Sequence, residues 1–245
     1  MYNMRGSQSS LISGNRLLAC LPKRDRRQLT PDLELVSLKA RHRAYEAGRA
    51  IEDIYFPVNS VISISAGTPQ GREVEVATIG NEGMVGLPVF LGADSTPGTA
   101  YAQVPGDSFK IKAKAFWEHA RQSDPLVKIM RLYAHALIVQ IMQRAACNRS
   151  HSALKRCARC LLTTQDQVQR ERFPLTQDIL SFMLGIRRTG VSVVASVLKQ
   201  RRIIDYNRGV VEILDRQELE LASCECYATV KQEFESLFKV LIRRR

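Results

Sequence analysis

The features that enzymes commonly need are missing from this sequence of 245 residues. No glycine-rich phosphate loop is followed by Lys and Ser or Thr, and no sharp turn surrounds a nucleophilic serine. The histidines are scattered without the paired spacing of a metal or catalytic site, at His42, His119, His135 and His151. We therefore predict that the protein is not an enzyme, and we predict no cofactor and no metal.

Glu73 and Glu75 are the nearest approach to a pair of catalytic carboxylates. They share one face of a stretch that alternates with the period of a half-buried β-strand. A solvated strand edge is the more common reason for such a pair. We therefore expect both carboxylates to face water.

Long apolar runs are missing too. No run of about 18 apolar residues is long enough to span a bilayer, and the N-terminus lacks the apolar centre of a signal peptide. We expect a cytoplasmic protein with no membrane partner. In a reducing compartment its six cysteines are not expected to form a disulfide framework.

Acidic residues are outnumbered by basic ones. The chain has 24 Asp and Glu against 36 Lys and Arg, which gives a formal charge of +12. Such an excess favours a polyanionic partner. Both halves of the chain are basic, so charge alone does not locate the surface that binds this partner.

The most informative stretch runs from Thr176 to Lys199 and predicts a helix-turn-helix. Its apolar residues recur at helical spacing in two short stripes, separated by Gly185. Ser181 is small enough for two helices to cross closely, and Gly185 can adopt the left-handed backbone that a sharp turn requires. The apolar positions are Leu180, Leu184, Ile186, Val191, Val194, Ala195 and Leu198. A helical hairpin within an ordinary core is the simpler alternative.

The second helix has the side chains that a DNA-reading helix needs. No acidic residue lies between Arg187 and Arg202. An arginine can fork onto guanine, and a valine can contact a thymine methyl group. The residues predicted to face away from the buried stripe are Arg187, Arg188, Thr189, Ser192, Val193, Ser196 and Gln200. Their position at the start and outer face of the helix is typical of major-groove recognition.

A β-hairpin is predicted directly after the second helix. Residues 203–206 and 210–214 are β-prone, and Asn207, Arg208 and Gly209 between them form a turn sequence. The unit is then a winged helix-turn-helix, with Arg208 at the wing tip and able to contact a phosphate. An exposed turn arginine without that role is about equally common.

The N-terminal half is predicted to be an antiparallel β-roll of the jelly-roll type. Short helices are expected at residues 15–20 and 25–29, after a flexible tail at residues 1–14. Strand-like runs follow at residues 50–56, 61–65, 73–79, 99–104 and 108–111. The fold class is therefore α+β.

A long helix is predicted for residues 124–148, with Asp124 as its cap and Pro125 in its first turn. Its apolar residues alternate at spacings of three and four over about two heptads. These residues are Val127, Met130, Ala134, Leu137 and Ile141. They form either the seam of a homodimer or a face packed against the roll.

The order of roll, long helix and winged helix-turn-helix resembles the Crp/Fnr family of transcription regulators, from about residue 15 to residue 227. The resemblance rests on NRLLA at 15–19, IYFP at 54–57, GNEGMVG at 80–86, LTQ at 175–177, LGIRRT at 184–189 and IDYNRG at 204–209. It implies a sensor domain at 15–123, a dimerisation helix at 124–148, a DNA-binding domain at 149–227 and a basic C-terminal helix or tail at 228–245.

The resemblance also implies partners and site residues. It implies a homodimer on a palindromic promoter site, contact with RNA polymerase, base reading by Arg188, Thr189 and Val193, and a phosphate contact by Arg187. Relatives often have Glu at the position of Thr189 and sometimes Arg at that of Val193, so the target sequence is not implied. The alternative is a nucleotide-binding regulatory subunit that acts on a protein partner.

The effector is not implied. Members that bind cyclic nucleotides hold the phosphate with a Gly-Glu pair and an Arg-Ser pair. The Gly-Glu pair matches Gly83-Met84 here, which Val85 follows, and the Arg-Ser pair matches Gly98-Thr99. Met84 and Gly98 supply neither a carboxylate nor a guanidinium group, so cyclic AMP is not expected. Oxygen-sensing members hold iron and sulfur with N-terminal cysteines, and this sequence has only Cys20 in that region.

The remaining cysteines allow two interpretations. Cys157 and Cys160 could join Cys224 and Cys226 in a four-thiolate metal site. At helical spacing, however, Cys157, Cys160 and Leu161 form a buried stripe, where free cysteine acts as a small hydrophobic residue. The buried stripe is the preferred interpretation.

Overall fold

The computed structural model describes residues 11–67 and 73–242, with the side chain of Ile242 excepted. Of the predicted flexible tail, residues 1–10 lie outside the described residues. The rest of that prediction is wrong, because Ile12 is buried and a Cβ on Gly14 would lie 2.7 Å from Val58 Cγ1. The ordered chain therefore begins before residue 15.

An antiparallel roll follows the two short N-terminal helices, α1 (Arg16–Cys20) and α2 (Lys23–Leu29). Its strands are β1 (Glu34–Leu38), β2 (Arg43–Tyr45), β3 (Asp53–Pro57), β4 (Val61–Gly67), β5 (Glu73–Ile79), β6 (Gly98–Val104) and β7 (Gly106–Lys112). They form two sheets with the orders β1-β7-β3 and β2-β6-β4-β5. Ile54, Phe56, Ile62 and Phe109 are fully buried in the core of the roll. The predicted roll is confirmed, and only β1 and β2 were missed.

The short helix α3 (Leu87–Phe90) lies between β5 and β6, and α4 (Ala113–Gln122) leads into the long helix α5 (Asp124–Ser150). The cap of α5 is Ser123 rather than Asp124. The Ser123 side chain accepts a hydrogen bond from the backbone N–H of Leu126, and Asp124 is already in the first turn. A serine side chain one residue earlier satisfies a free N–H of the helix start, so the helix begins there.

The predicted seam of α5 lies mostly inside the subunit. Met130, Ala134 and Leu137 are buried in the core that α5 shares with the roll, whereas Ile141 is 38% exposed. Packing against the roll, the alternative interpretation, therefore describes most of this face. By length and composition α5 is apolar enough to cross a membrane, contrary to the sequence expectation, but it is the core helix of this domain.

The C-terminal unit contains α6 (Ala153–Val168), β8 (Arg172–Pro174), α7 (Gln177–Leu184), α8 (Arg188–Gln200), β9 (Ile204–Asn207), β10 (Val210–Ile213) and α9 (Arg216–Ala222). A last helix, α10 (Cys226–Ile242), returns to the domain that contains the roll. Its residues Phe234, Leu237, Phe238 and Leu241 are buried in the core of that domain. The predicted boundary at 227/228 thus falls inside a helix, and residues 243–245 lie outside the described residues.

A buried ion pair connects the roll to α5 and corrects one prediction. The Glu75 carboxylate on β5 is fully buried, pairs with Arg144 of α5 and accepts a hydrogen bond from Ser63 Oγ at 2.7 Å. Glu75 is therefore not part of a solvated edge. The sequence pattern correctly placed Glu75 and Glu73 on one face of the strand. Which part of that face α5 covers is set by tertiary packing.

Direct contacts hold the helix-turn-helix against the roll. Gln103 on β6 donates a hydrogen bond to Met183 Sδ at 3.0 Å, and the rings of Tyr101 and Phe182 meet edge to face at 5.7 Å. Gln167 of α6 donates to the Thr78 carbonyl at 3.2 Å. The C-terminal unit and the roll are therefore packed together in this structure.

Candidate nucleic-acid interface

The two helices at the centre of the C-terminal unit have the geometry of a DNA-binding motif. The axes of α7 and α8 differ by 102°, within the range of a helix-turn-helix. Gly185 ends α7 in the left-handed conformation, with φ of 60°. Its N–H donates to the Phe182 carbonyl, and the Ile186 N–H donates to the Ser181 carbonyl. These two hydrogen bonds form the Schellman motif, in which glycine is the favoured residue at the left-handed position.

A compact apolar core fixes the angle between these helices. Leu180, Leu184, Val191 and Leu198 are each at most 1% exposed. Val194 and Ala195 are also buried. Burying four such side chains contributes roughly 1.5–3 kcal/mol each, so the orientation of α8 is strongly determined.

The opposite face of α8 is open to solvent. The residues predicted on it are all exposed, namely Arg187, Arg188, Thr189, Ser192, Val193, Ser196 and Gln200. Val193 is a large apolar side chain that remains 64% exposed. No acidic residue of α8 itself lies in its first turn.

Two of these residues are engaged within the protein. The Arg188 guanidinium pairs with Asp178 of α7, and both side chains are substantially exposed. Ser192 Oγ donates to the Arg188 carbonyl at 3.2 Å. A guanidinium held by an exposed carboxylate can be released to a stronger partner, because such surface pairs contribute only about 0–1 kcal/mol.

The wing is a tight hairpin of β9 and β10, and β8 adds a third strand to its sheet. Asn207 pairs with Val210, which leaves a two-residue loop of Arg208 and Gly209. Both residues have positive φ, 47° and 76°, as a type I′ turn requires. The exposed Arg208 side chain therefore lies at the tip. Strand β8, which the sequence reading missed, pairs with the other side of β10.

Of the five residues predicted for an effector pocket, Thr99 is half-buried and the other four are buried. Met84 and Val85 are fully buried in the core, and the Tyr133 hydroxyl donates to the Met84 carbonyl at 2.7 Å. A Cβ on Gly83 would lie 2.7 Å from the same hydroxyl. Gly98 and Thr99 lie on β6, where Thr99 Oγ1 accepts from the Ala47 N–H at 3.3 Å. Binding of an effector at these positions stays a prediction.

A cleft lies between the two domains. It has a volume of about 270 Å³ and is lined by residues of the roll, α5, α6 and α10, including Glu82, Gln140, Asp166 and Tyr227. Tyr227 donates a hydrogen bond to Asp166 at 2.6 Å and accepts one from Arg216 at 2.6 Å.

The cysteines are arranged differently from the four-thiolate set considered in the sequence. Cys157 is fully buried on α6, and burial raises the pKa of its thiol well above the ordinary value. Cys224 and Cys226 instead meet Cys147 and His151 at the end of α5. The spacing of Cys147 and His151, one helical turn apart, is the signal that the sequence reading missed.

Two family models match the chain, in the order that the structure shows. The cyclic nucleotide-binding domain matches residues 35–123, and the Crp-like helix-turn-helix domain matches residues 155–222. The chain is thus a transcription regulator with a helix-turn-helix DNA-binding domain and a domain of the cyclic nucleotide-binding fold. A comparison with curated protein sequences gave no significant match.

Solved structures share this fold. FixK2 from Bradyrhizobium japonicum superposes with a TM-score of 0.67 at 16% identity, over 78% of this chain and 98% of that chain. TTHB099, a Crp-family transcriptional regulator from Thermus thermophilus, has a TM-score of 0.63 at 16% identity, over 78% and 96%. The c-di-GMP-responsive regulator CLP from Xanthomonas campestris has 0.62 at 12%, over 78% and 99%. By its two family-model matches, the protein belongs to the Crp/Fnr family of transcription regulators.

Proposed function

We propose that the protein binds a palindromic promoter site as a homodimer and reads it with α8 in the major groove. The observation that carries this proposal is the outer face of α8, which is exposed, cationic at its start and without an acidic residue of its own. On this face Arg188, Thr189, Ser192, Val193 and Ser196 discriminate bases. Arg187 and Arg208 neutralise phosphates and position the protein on the duplex.

The homodimer is proposed to form through α5. Ile138, Ile141 and Met142 lie within about one helical turn and are 54%, 38% and 65% exposed. Large apolar side chains clustered on one helix face mark an association surface. A pair of α5 helices packed there would place two recognition helices on one duplex, about 34 Å apart.

The effector is proposed not to be cyclic AMP. The position that should carry the phosphate-binding arginine is Gly98, where an added Cβ would lie 2.8 Å from the Ser65 carbonyl oxygen. A side chain at this position would require the backbone to move. The match to a cyclic nucleotide-binding domain therefore supports the fold and leaves the ligand to be identified.

Regulation in the cytoplasm, through DNA and contact with RNA polymerase, is the proposed role rather than catalysis. The alternative is a nucleotide-binding subunit that acts on a protein partner. It has less support because it does not explain the exposed face of α8. The two functions predict different results with random DNA.

Selection of bound duplexes from a random pool tests the proposal. The protein should enrich one palindrome, and equilibrium sedimentation should show two subunits per duplex. Met142→Glu should reduce dimerisation and specific binding, whereas Leu221→Glu, at a 78% exposed apolar residue on α9, should change neither. Enrichment of no sequence would contradict DNA recognition, and a single half-site bound by one subunit would contradict the dimer.

A further inference from the structure

Four metal-ligating side chains meet at the junction between the sensor unit and the DNA-binding unit. Cys147 lies in the last turn of α5 and His151 is the residue that caps this helix. Cys224 and Cys226 lie where α9 ends and α10 begins. The ligand atoms of all four lie within 4.8 Å of one another. We propose that Cys147, His151, Cys224 and Cys226 bind one tetrahedral metal ion of the zinc class.

Two of the separations between ligand atoms match the edges of a tetrahedron around a single ion. Zinc at about 2.3 Å from sulfur and about 2.0–2.1 Å from nitrogen places two sulfurs about 3.8 Å apart and a sulfur and a nitrogen about 3.6 Å apart. Cys147 Sγ and Cys224 Sγ are 3.5 Å apart, and Cys226 Sγ and His151 Nδ1 are also 3.5 Å apart. Ligand atoms this close surround one ion and leave no space for a cluster of several irons.

The chemistry of the ligands is that of a closed, structural site. Three thiolates and one imidazole form a set that zinc prefers, and it occupies all four positions of the tetrahedron. The three cysteines are at most 3% exposed, and none of them is in a disulfide. Binding displaces the three thiol protons to solvent. The ion therefore needs no oxidant and no other reactant.

Groups around the ligands orient them for metal binding. His151 presents Nδ1 to the thiols because its Nε2 lies 3.0 Å from the Glu225 carboxylate. A carboxylate behind a histidine ligand is a common support of zinc sites, since it fixes the ring and its tautomer. Gln143 on α5 donates a hydrogen bond to Cys226 Sγ at 3.1 Å.

The buried cation Arg159 gives an independent reason for negative charge here. It is 7% exposed, its Nε atom has no hydrogen-bond partner, and within residues 11–67 and 73–242 no carboxylate lies within ion-pair distance of it. The Arg159 Nη2 atom donates a hydrogen bond to Cys160 Sγ at 3.5 Å, which leaves the guanidinium without a carboxylate counter-charge. A buried charge without a counter-charge is strongly unfavourable. Arg159 and Cys226 line the same small cavity. Three thiolates around a divalent ion have a net charge of minus one, which Arg159 balances.

The site would join parts of the chain that are far apart in sequence. Cys147 and Cys224 are separated by 77 residues, and this segment includes the whole helix-turn-helix and its wing. A metal ion would therefore fix the end of α5 to the start of α10 and close the DNA-binding unit between them. Its loss should loosen the placement of α8 relative to α5.

Metal analysis of the full-length protein, purified anaerobically with a phosphine reductant, tests the proposal. We expect about one zinc per chain, with a Kd near or below about 1 nM in competition with a chromophoric chelator. Cobalt added after a chelator has removed the bound metal should give the intense absorption of tetrahedral cobalt bound to thiolates. This measurement uses the unmodified protein, so it remains decisive if a variant fails to fold.

Substitutions then locate the ion. Cys224→Ser and His151→Ala should each lower the bound metal at least tenfold, whereas Cys157→Ala, a matched buried cysteine outside the set, should keep it. Absence of zinc and of the cobalt spectrum in the reconstituted wild-type protein would overturn the proposal. Metal that Cys224→Ser leaves unchanged, or a Cys147–Cys224 disulfide in the anaerobic protein, would also overturn it.

Discussion

Replacement of Arg188 by alanine should remove one base preference and little else. In the free protein the side chain is 68% exposed and its only ion pair is with Asp178, among the residues that the structure describes. An exposed pair contributes about 0–1 kcal/mol, so the free energy of unfolding should fall by less than about 1 kcal/mol. On DNA a bidentate contact to guanine discriminates by about 1–3 kcal/mol, or about 5- to 150-fold, in each half-site.

Asp178 provides the matched variant. In the free protein its carboxylate competes with DNA for the Arg188 guanidinium, so Asp178→Ala should raise specific affinity by up to about fivefold. Arg187→Ala should instead weaken binding to every sequence, because Arg187 is proposed to contact a phosphate. The two neighbouring arginines thus have distinguishable phenotypes.

Fluorescence anisotropy with the selected palindrome and its single-base variants measures both effects. Arg188→Ala should make the affinity indifferent to the base at one position of each half-site while the other positions keep their preferences. An equal loss on all duplexes, including non-specific ones, would refute base reading by Arg188. A weaker specific complex with Asp178→Ala would refute the competition.

Three further predictions concern the wing and the buried acids. Arg208→Asn keeps a residue suited to positive φ and should weaken binding to all sequences, with the slope of log K against log salt reduced by about 2, that is about 1 for each subunit of the dimer; a loss at one base position only would contradict it. Glu75→Ala leaves Arg144 buried without its partner and should lower the free energy of urea unfolding by about 3–5 kcal/mol, so a change below 1 kcal/mol would argue against the pair. Burial raises the pKa of Glu82, although hydrogen bonds from Gly80 and Gln167 partly oppose this shift. Glu82 therefore stabilises the fold below its unfolded pKa of about 4.3 and loses this contribution as pH rises through the folded pKa. Relative to the wild type, Glu82→Gln should gain stability between pH 4 and pH 7 in urea unfolding, and a relative loss would contradict the sign.

The helix-turn-helix could be read from the sequence because its determinants are local. Leu180, Leu184, Val191 and Leu198 repeat at helical spacing, and Gly185 supplies the backbone conformation between the two helices. The turn and the buried face are specified by residues that lie only a few positions apart in the sequence. The wing was predictable for the same reason.

Features that depend on distant parts of the chain were not predictable in this way. The spacing of Met130, Ala134 and Leu137 marks an apolar face of α5, but the same spacing suits a partner subunit or the core of the subunit itself. The alternating pattern of β5 shows that Glu75 shares a strand face with Glu73. Only the position of α5 shows that the Glu75 carboxylate is buried.

The sequence by itself determined the order of roll, long helix and winged motif, and the residues that α8 presents to solvent. Periodicity, turn residues and charge specify these features within short segments. Only the tertiary structure decided that α10 returns to the domain that contains the roll and that Cys147 and His151 meet Cys224 and Cys226. The physical reason is that such contacts join residues 75 to 219 positions apart, where packing of the whole chain selects the partners.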